Sequence, residues 1–430
     1  MTAGGRDTIF ALSSGSPPAA IAVVRISGRA ADAALLALAG RLPEPRRATL
    51  VKLREPGGEL LDTALALRFP GPASSTGEDL VELHLHGGRS VIVAVTEVLR
   101  RRHGLRMALP GEFTRRAFEN GRIDLAEAEG LGDLLMAETQ SQRRAALALA
   151  DGALSRLIER WRQQVLALGA SLEASLDFAD EGDVSEDVPA SWSIGVAALE
   201  REIRALLVRP PAERLRDGIR VSIAGPPNAG KSSLLNVLAG REAAITSPVA
   251  GTTRDLVEAP VAIGGTPFLL TDTAGLRDSA DMIEGIGVER ARRNIAMADI
   301  VLWLGDPAET PSGERTIIVE PKADLVAQHD SRADISISAA TGDGIEELRA
   351  LLLRRAEQLL PGEGELSVNQ RHRALLADAA GHLGEAQVSD DLILVADELR
   401  CARLALDRIT GRSGVEDMLD TLFGKFCIGK

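Results

Sequence analysis

The segment Gly225-Pro226-Pro227-Asn228-Ala229-Gly230-Lys231-Ser232 carries the residue types that hold a phosphate. An anion is bound by backbone N–H groups converging on it, and Gly225 and Gly230 permit the backbone that aims them. Lys231 places a point charge on the β- and γ-phosphates, and the Ser232 hydroxyl is a ligand for Mg2+. A strand-like run, Ile219-Arg220-Val221-Ser222-Ile223-Ala224, leads in and the helical run 233–238 leads out, so a helix N-terminus adds its positive dipole end. Asn228, Ala229, Gly230, Lys231, Ser232 and Ser233 are the candidate nucleotide contacts of this loop.

Downstream, the apolar run Phe268-Leu269-Leu270 ends at Asp272-Thr273-Ala274-Gly275. Asp272 at a strand's carboxyl end can hold Mg2+ through water, and Gly275 can offer its N–H to the γ-phosphate. Between the two motifs lies Gly251-Thr252-Thr253-Arg254-Asp255, where a threonine hydroxyl completes a Mg2+ shell; Thr253 is assigned to it. Guanine needs one carboxylate for its N1–H and exocyclic amine. Asp324, in Pro321-Lys322-Ala323-Asp324, is placed for that, with the Lys322 stem over the base and a backbone N–H of Ser338-Ala339-Ala340 toward the guanine oxygen. Together these point to a GTP-hydrolysing enzyme that uses Mg2+.

Two positions depart from the usual GTPase pattern. Pro321 stands where Asn is common and supplies neither a side-chain amide nor an N–H. Leu276 stands where a water-positioning Gln is found in Ras-like enzymes and cannot hydrogen-bond. Glu284, Glu289 and Asp278 then compete for orienting the attacking water. Asn228 has two readings by spacing alone: a K+ ligand between the α- and γ-phosphates, or a residue chosen for its loop conformation.

These residues need a parallel sheet covered by helices, and strands alternate with helices over residues 216–358. Before it, residues 1–122 mix strands such as Ala20-Ile21-Ala22-Val23-Val24-Arg25-Ile26 and the alternating Leu80-Val81-Glu82-Leu83-His84-Leu85-His86 with helices, an α+β unit. Apolar residues from Leu154 to Leu176 recur at helical spacing, and Trp192 to Leu206 repeat the pattern after an acidic break at 177–189 that reads as a solvated or a partner-docking loop. Leu392, Val395, Leu399, Ala402, Leu406 and Ile409 continue a helical stripe at the other side of the nucleotide segment. The expected architecture is multidomain, α+β and α/β: an N-terminal domain over 1–122, a central helical bundle from 123–215 and 359–430, and an inserted Ras-like P-loop G domain over 216–358.

The 430 residues exceed one ordinary core. The formal net charge of -13 disfavours broad attraction to nucleic acid, so any RNA contact is expected to be a local patch. Cys401 and Cys427 give no disulfide framework. No apolar run of membrane-spanning length and no signal-peptide layout is visible, which fits a cytoplasmic protein with no membrane role.

The chain closely resembles the MnmE/TrmE family of tRNA-modification GTPases along its full length. Outside the G domain the resemblance is carried by Asp7-Thr8-Ile9, Ala22-Val23-Val24-Arg25-Ile26-Ser27-Gly28, Thr76-Gly77-Glu78-Asp79, residues 82–88, residues 110–118, Leu125-Ala126-Glu127-Ala128-Glu129 and the closing Phe426-Cys427-Ile428-Gly429-Lys430. It implies a homodimer formed through an N-terminal tetrahydrofolate-binding-like domain. It also implies a partner, the flavin- and NADH-dependent MnmG (GidA), with which the family adds a carboxymethylaminomethyl or aminomethyl group to C5 of the wobble uridine of certain tRNAs. The resemblance assigns K+ to Asn228, Ser247, Val249 and Thr252, and the catalytic role to Glu284. It assigns a 5-formyl- or 5,10-methylene-tetrahydrofolate donor to Arg25, Glu82, Arg122 and Lys430, with Arg122 where Lys is common. A GTPase switch in ribosome assembly is the alternative; such a switch usually carries a basic RNA module, and none is visible.

Overall fold

The computed structural model describes residues 7–178, 190–241, 258–272, 293–311, 313, 315–325, 330–362, 365–413, 416–424 and 426–429. They form two compact units, residues 1–132 with 407–430 and residues 133–406.

In the first unit β1 (Thr8–Leu12), β2 (Ile21–Ser27), β3 (Thr49–Arg54), β4 (Leu60–Phe69), β5 (Leu80–His86) and β6 (Leu105–Met107) form one sheet in the order β3-β4-β5-β2-β1-β6. All neighbours are antiparallel except β1 and β6. Strand alternation divides each strand between two faces. Phe10, Val24, Ile26, Val81 and Leu83 meet Leu35, Leu38, Val95 and Leu99 of helices Ala31–Ala39 and Arg89–Arg100. The opposite face carries Arg25, Ser27 and Glu82, and Ile9, Ala11 and Leu80 there pack with Phe113.

The chain's last residues belong to this unit. Phe423 stands between Phe118 and Phe426, with ring centroids 6.2 and 6.1 Å away. Ile428 bridges Pro110. At Gly429, with φ 97°, any Cβ would sit 2.1 Å from the Leu12 carbonyl oxygen; only glycine lets the tail lie against the end of β1.

In the second unit, helices Ala153–Phe178 and Ala190–Val208 bury the predicted stripes, including Leu154, Ile158, Trp161, Val196 and Leu199, and helix Gln370–Val388, which no predicted stripe covered, buries Leu376 and Leu383. Both buried indoles are satisfied, Trp161 on Glu202 Oε2 at 2.9 Å and Trp192 on the Leu168 carbonyl at 3.0 Å. Helix Leu392–Thr410 is divided between the units at Asp407. Residues 179–189 of the acidic break lie outside the described residues.

The same unit holds a second sheet of β7 (Ile219–Ala224), β8 (Glu258–Ile263), β9 (Thr266–Asp272), β10 (Ile300–Trp303), β11 (Thr316–Glu320) and β12 (Ile335–Ser336), ordered β12-β11-β10-β7-β9-β8. Only β8 runs antiparallel. Val221, Ile223, Phe268, Leu270 and Leu302 form its core with Leu234 and Leu238 of helix Lys231–Arg241 and Leu348 and Leu352 of helix Ile345–Leu359. The chain leaves β7 toward β9 on one side and later builds β10 on the other, so the carboxyl end of β7 is the topological switch point where such sheets bind ligands.

Candidate functional site

The described nucleotide residues gather along the carboxyl edge of this sheet. The phosphate loop follows β7, Asp272 ends β9, Lys322 and Asp324 follow β11, and Ser338 follows β12. Gly225, at φ 145°, lies so close to Leu304 after β10 that a Cβ would meet its backbone at 3.0 Å, which is why glycine opens the loop. Lys231 is buried and donates to the carbonyls of Gly225 at 2.9 Å and Pro226 at 2.7 Å. Its ammonium is thereby curled over the loop, in reach of the phosphates that the loop would surround.

Ser232 Oγ donates to Asp272 Oδ2 at 2.5 Å. Register explains the meeting: Asp272 pairs with Ile223 on β7, just before the loop, and is buried. Two hard oxygen donors side by side fit Mg2+, although no cluster of three His, Cys, Asp or Glu side chains suits a metal among the described residues. Asn228 has φ 61°, a left-handed backbone that asparagine adopts more readily than most side chains, and is exposed. Lys322, also left-handed at φ 59°, donates Nζ to the Asn228 carbonyl at 2.9 Å. That bond ties the base segment to the phosphate loop beside Pro321, where the usual Asn tether is missing.

Sequence reasoning gave Glu320 no role. It accepts from Ser336 Oγ at 2.5 Å and from the Asp330 N–H at 3.0 Å, fixing the end of β11 from which the base segment departs. Asp324 is exposed in the short turn Ala323–Leu325, while Ser338 is fully buried with Ala339 beside it half-buried. Ser247, Val249, Thr252, Thr253, Thr273, Ala274, Gly275, Leu276, Glu284 and Lys430 lie outside the described residues.

In the first unit, Arg25 and Glu82 are directly opposed on β2 and β5, and Arg25 Nε donates to Glu82 Oε1 at 2.8 Å. Arg122 is exposed, its stem against Gly77. The next residue but one from Arg25, Ser27, bonds Thr76 at 2.7 Å and Glu78 at 2.8 Å, so the Thr76-Gly77 turn links Arg122 to the strand of Arg25. The tail at Gly429 rests on Leu12, which pairs with Val24, the neighbour of Arg25.

Behind these residues lies a network for which the sequence suggested no purpose. Arg116 is 4% exposed and donates to Glu78, to Glu112 and to the Asp7 carbonyl at 2.9, 3.0 and 2.8 Å. Arg106 grips Glu112 with two bonds of 2.8 and 2.6 Å. Burial by itself raises the Glu112 carboxyl, but hydrogen bonds from Arg106, the Leu109 N–H and Arg116 outweigh it and hold the group below the usual carboxylate range. The signal was present as Glu112 and Arg116 one helical turn apart; nothing in one sequence said that the turn faces inward.

A glycine-rich loop between strand and helix, a strand-end Asp bonded to the loop's Ser, and a Lys–Asp base segment on one sheet edge define a P-loop nucleotide-binding domain. Comparison with known proteins is specific. The family models for the MnmE helical domain and the GTP-binding protein TrmE N-terminus match residues 125–427 and 8–122. The tRNA modification GTPase MnmE of Rhizorhabdus wittichii is 59% identical over 433 residues, covering 100% of this chain and 98% of its own length. That of Erythrobacter litoralis is 56% identical over 425 residues, 99% of this chain and 100% of its own. Among solved structures, the G domain of the T. maritima FeoB iron transporter matches at 23% identity over 32% of this chain and 98% of that one, with a TM-score of 0.25. The chain belongs to the MnmE/TrmE family of tRNA modification GTPases. Among the described residues no helix is long and apolar enough to cross a membrane.

Proposed function

We propose that this protein hydrolyses GTP to GDP and phosphate in the modification of the wobble uridine of certain tRNAs. The observation that supports it most is the convergence, in a chain of this family, of Lys231, the Ser232–Asp272 pair and the Lys322–Asp324 segment on one sheet edge. Asp324 selects guanine, and Lys322 supports the base while holding the loop. Lys231 leaves its carbonyl partners for the β- and γ-phosphates, whose charge it neutralises as the bond between them breaks. Ser232, Thr253 and, through water, Asp272 would hold Mg2+, which supplies Lewis-acid charge for the phosphate oxygens. Asn228, Ser247, Val249 and Thr252 would hold K+ in place of an arginine finger. With Leu276 unable to hydrogen-bond, Glu284 orients the attacking water.

In this reading residues 1–122 form the tetrahydrofolate-binding-like dimerisation domain, 123–215 with 359–430 the helical domain, and 216–358 the inserted G domain. Arg25, Glu82, Arg122 and Lys430 hold the folate. The cations match its acidic tail and the carboxylate its pterin donors. The Arg25–Glu82 pair fits that task, since both groups are already oriented and partly desolvated. A homodimer works with MnmG in the cytoplasm to place the aminomethyl-type group. Nucleoside mass spectrometry of tRNA from a strain lacking this protein, with and without the cloned chain, tests the proposal. The modified wobble uridine is expected to vanish and to return; its persistence in the deletion strain would rule the reading out.

A further inference from the structure

We propose that the groove between the end of helix Ala31–Ala39 and β3 is a contact site for the phosphate backbone of the substrate RNA, an inference that rests on the tRNA-modification reading. The groove has a volume of about 500 Å3, and its lining holds Arg41, Lys52, Arg54 and Thr63 with no carboxylate.

The cations come from two elements. Lys52 and Arg54 are exposed on the same face of β3, about 7 Å apart at two residues of strand rise. Arg41 reaches the edge from beyond the helix and donates to the Leu50 carbonyl at 2.9 Å, while Arg54 donates to the Gly58 carbonyl at 2.6 Å. Carbonyls orient a guanidinium without neutralising it. None of the three cations pairs with a carboxylate among the described residues, unlike Arg68 and Arg106 on the same sheet. Lysines guard many edge strands against pairing; a guard does not explain a cleft with a third cation from another element.

Charge over the whole chain points the same way. Residues 1–132 and 407–430 contain 21 Lys and Arg against 19 Asp and Glu, a net of +2, whereas residues 133–406 contain 28 against 43, a net of -15. A polyanion is therefore repelled by the nucleotide-binding unit and tolerated by the other. Within residues 40–54 there are five cations and one carboxylate, the local patch that a chain of net charge -13 would need.

The test uses the full-length chain and a fluorescently labelled, unmodified tRNA transcript with a wobble uridine, titrated by anisotropy between roughly 50 and 200 mM KCl. The combined change Arg41→Gln, Lys52→Gln and Arg54→Gln is expected to weaken binding about tenfold or more and to lower the salt slope by about 2 to 3. An equal loss of charge at exposed Arg143, Arg201 and Arg354 leaves both unchanged. Because Arg41 and Arg54 also hold backbone, Lys52→Glu alone provides a variant without that liability; it is expected to lower the slope by about 1 with GTP turnover intact. Wild-type affinity and slope in the triple variant overturn the proposal, as does failure of the wild-type chain to bind the transcript at low salt. Loss of capture of an acidic protein partner with RNA binding unaltered overturns it equally. In cells, a wild-type chain that fails to restore the modified nucleoside removes the functional reading itself; restoration alongside unaltered RNA binding by the triple variant removes only the groove.

Discussion

Asn228 serves two masters at the level of single residues. Its φ of 61° is a conformation that asparagine accepts more readily than most side chains, and its carbonyl receives the Lys322 ammonium at 2.9 Å. Neither fact uses the side-chain amide, which is the group a K+ ion would coordinate. Asn228→Ala thus separates the roles, because the carbonyl stays. If the amide binds K+, GTP turnover in the native protein is much faster in K+ than in Na+, and Asn228→Ala removes that difference while nucleotide affinity changes little. Equal wild-type rates in both salts exclude the cation role. A second variant, Asn228→Gly, keeps the left-handed backbone without strain, so loss of the K+ preference there as well assigns the effect to the amide.

Elements show where sequence reading succeeds and where it stops. The strand-loop-helix around Lys231 was legible because its meaning is local: two glycines, a lysine and a serine within one turn of chain. The strands β2 and β5 were legible from alternation, but the opposition of Arg25 and Glu82 was not, since register is settled by distant pairing. Helix Gln140–Ala150 teaches the same lesson. Thr139 and Gln142 form a capping box, a local device, yet Gln142 Nε2 also donates to the Arg216 carbonyl at 2.9 Å, and Ser141 Oγ to the Gly265 carbonyl at 2.9 Å at the turn between β8 and β9. That turn begins the strand that ends at Asp272. Gln142→Ala keeps the Thr139 cap but removes the reciprocal bond from the Thr139 N–H and the tie to Arg216 together, and is expected to cost about 1 to 2 kcal/mol in the unit, read by denaturant unfolding; a cost near zero would mean that solvent replaces both bonds.

For the whole molecule, two compact units with opposite charge balances make acid an informative variable. A single unfolding free energy is not well defined for such a chain, so each unit must be followed by its own amides, for instance by hydrogen exchange. Lowering the pH relieves self-repulsion in the unit of net charge -15, while the unit at +2 becomes more cationic. In that second case a specific bond network is also at stake. Glu112 is held below the usual carboxylate range in the folded state, so its contribution is fully present above the unfolded value of about 4.3 and is lost as pH falls through the lower, folded value. Protonation there frees Arg116, buried at 4% exposure, from one of its carboxylates. β2, which carries Arg25, and β1, which follows Asp7, are then expected to exchange faster below about pH 4, before the core of β7 and β9 does. Glu112→Gln should cost on the order of 3 kcal/mol at neutral pH and flatten the acid response of that unit. An unchanged acid response in the variant would show that the Arg106–Glu112–Arg116 network does not govern it, and would return the cause to general charge.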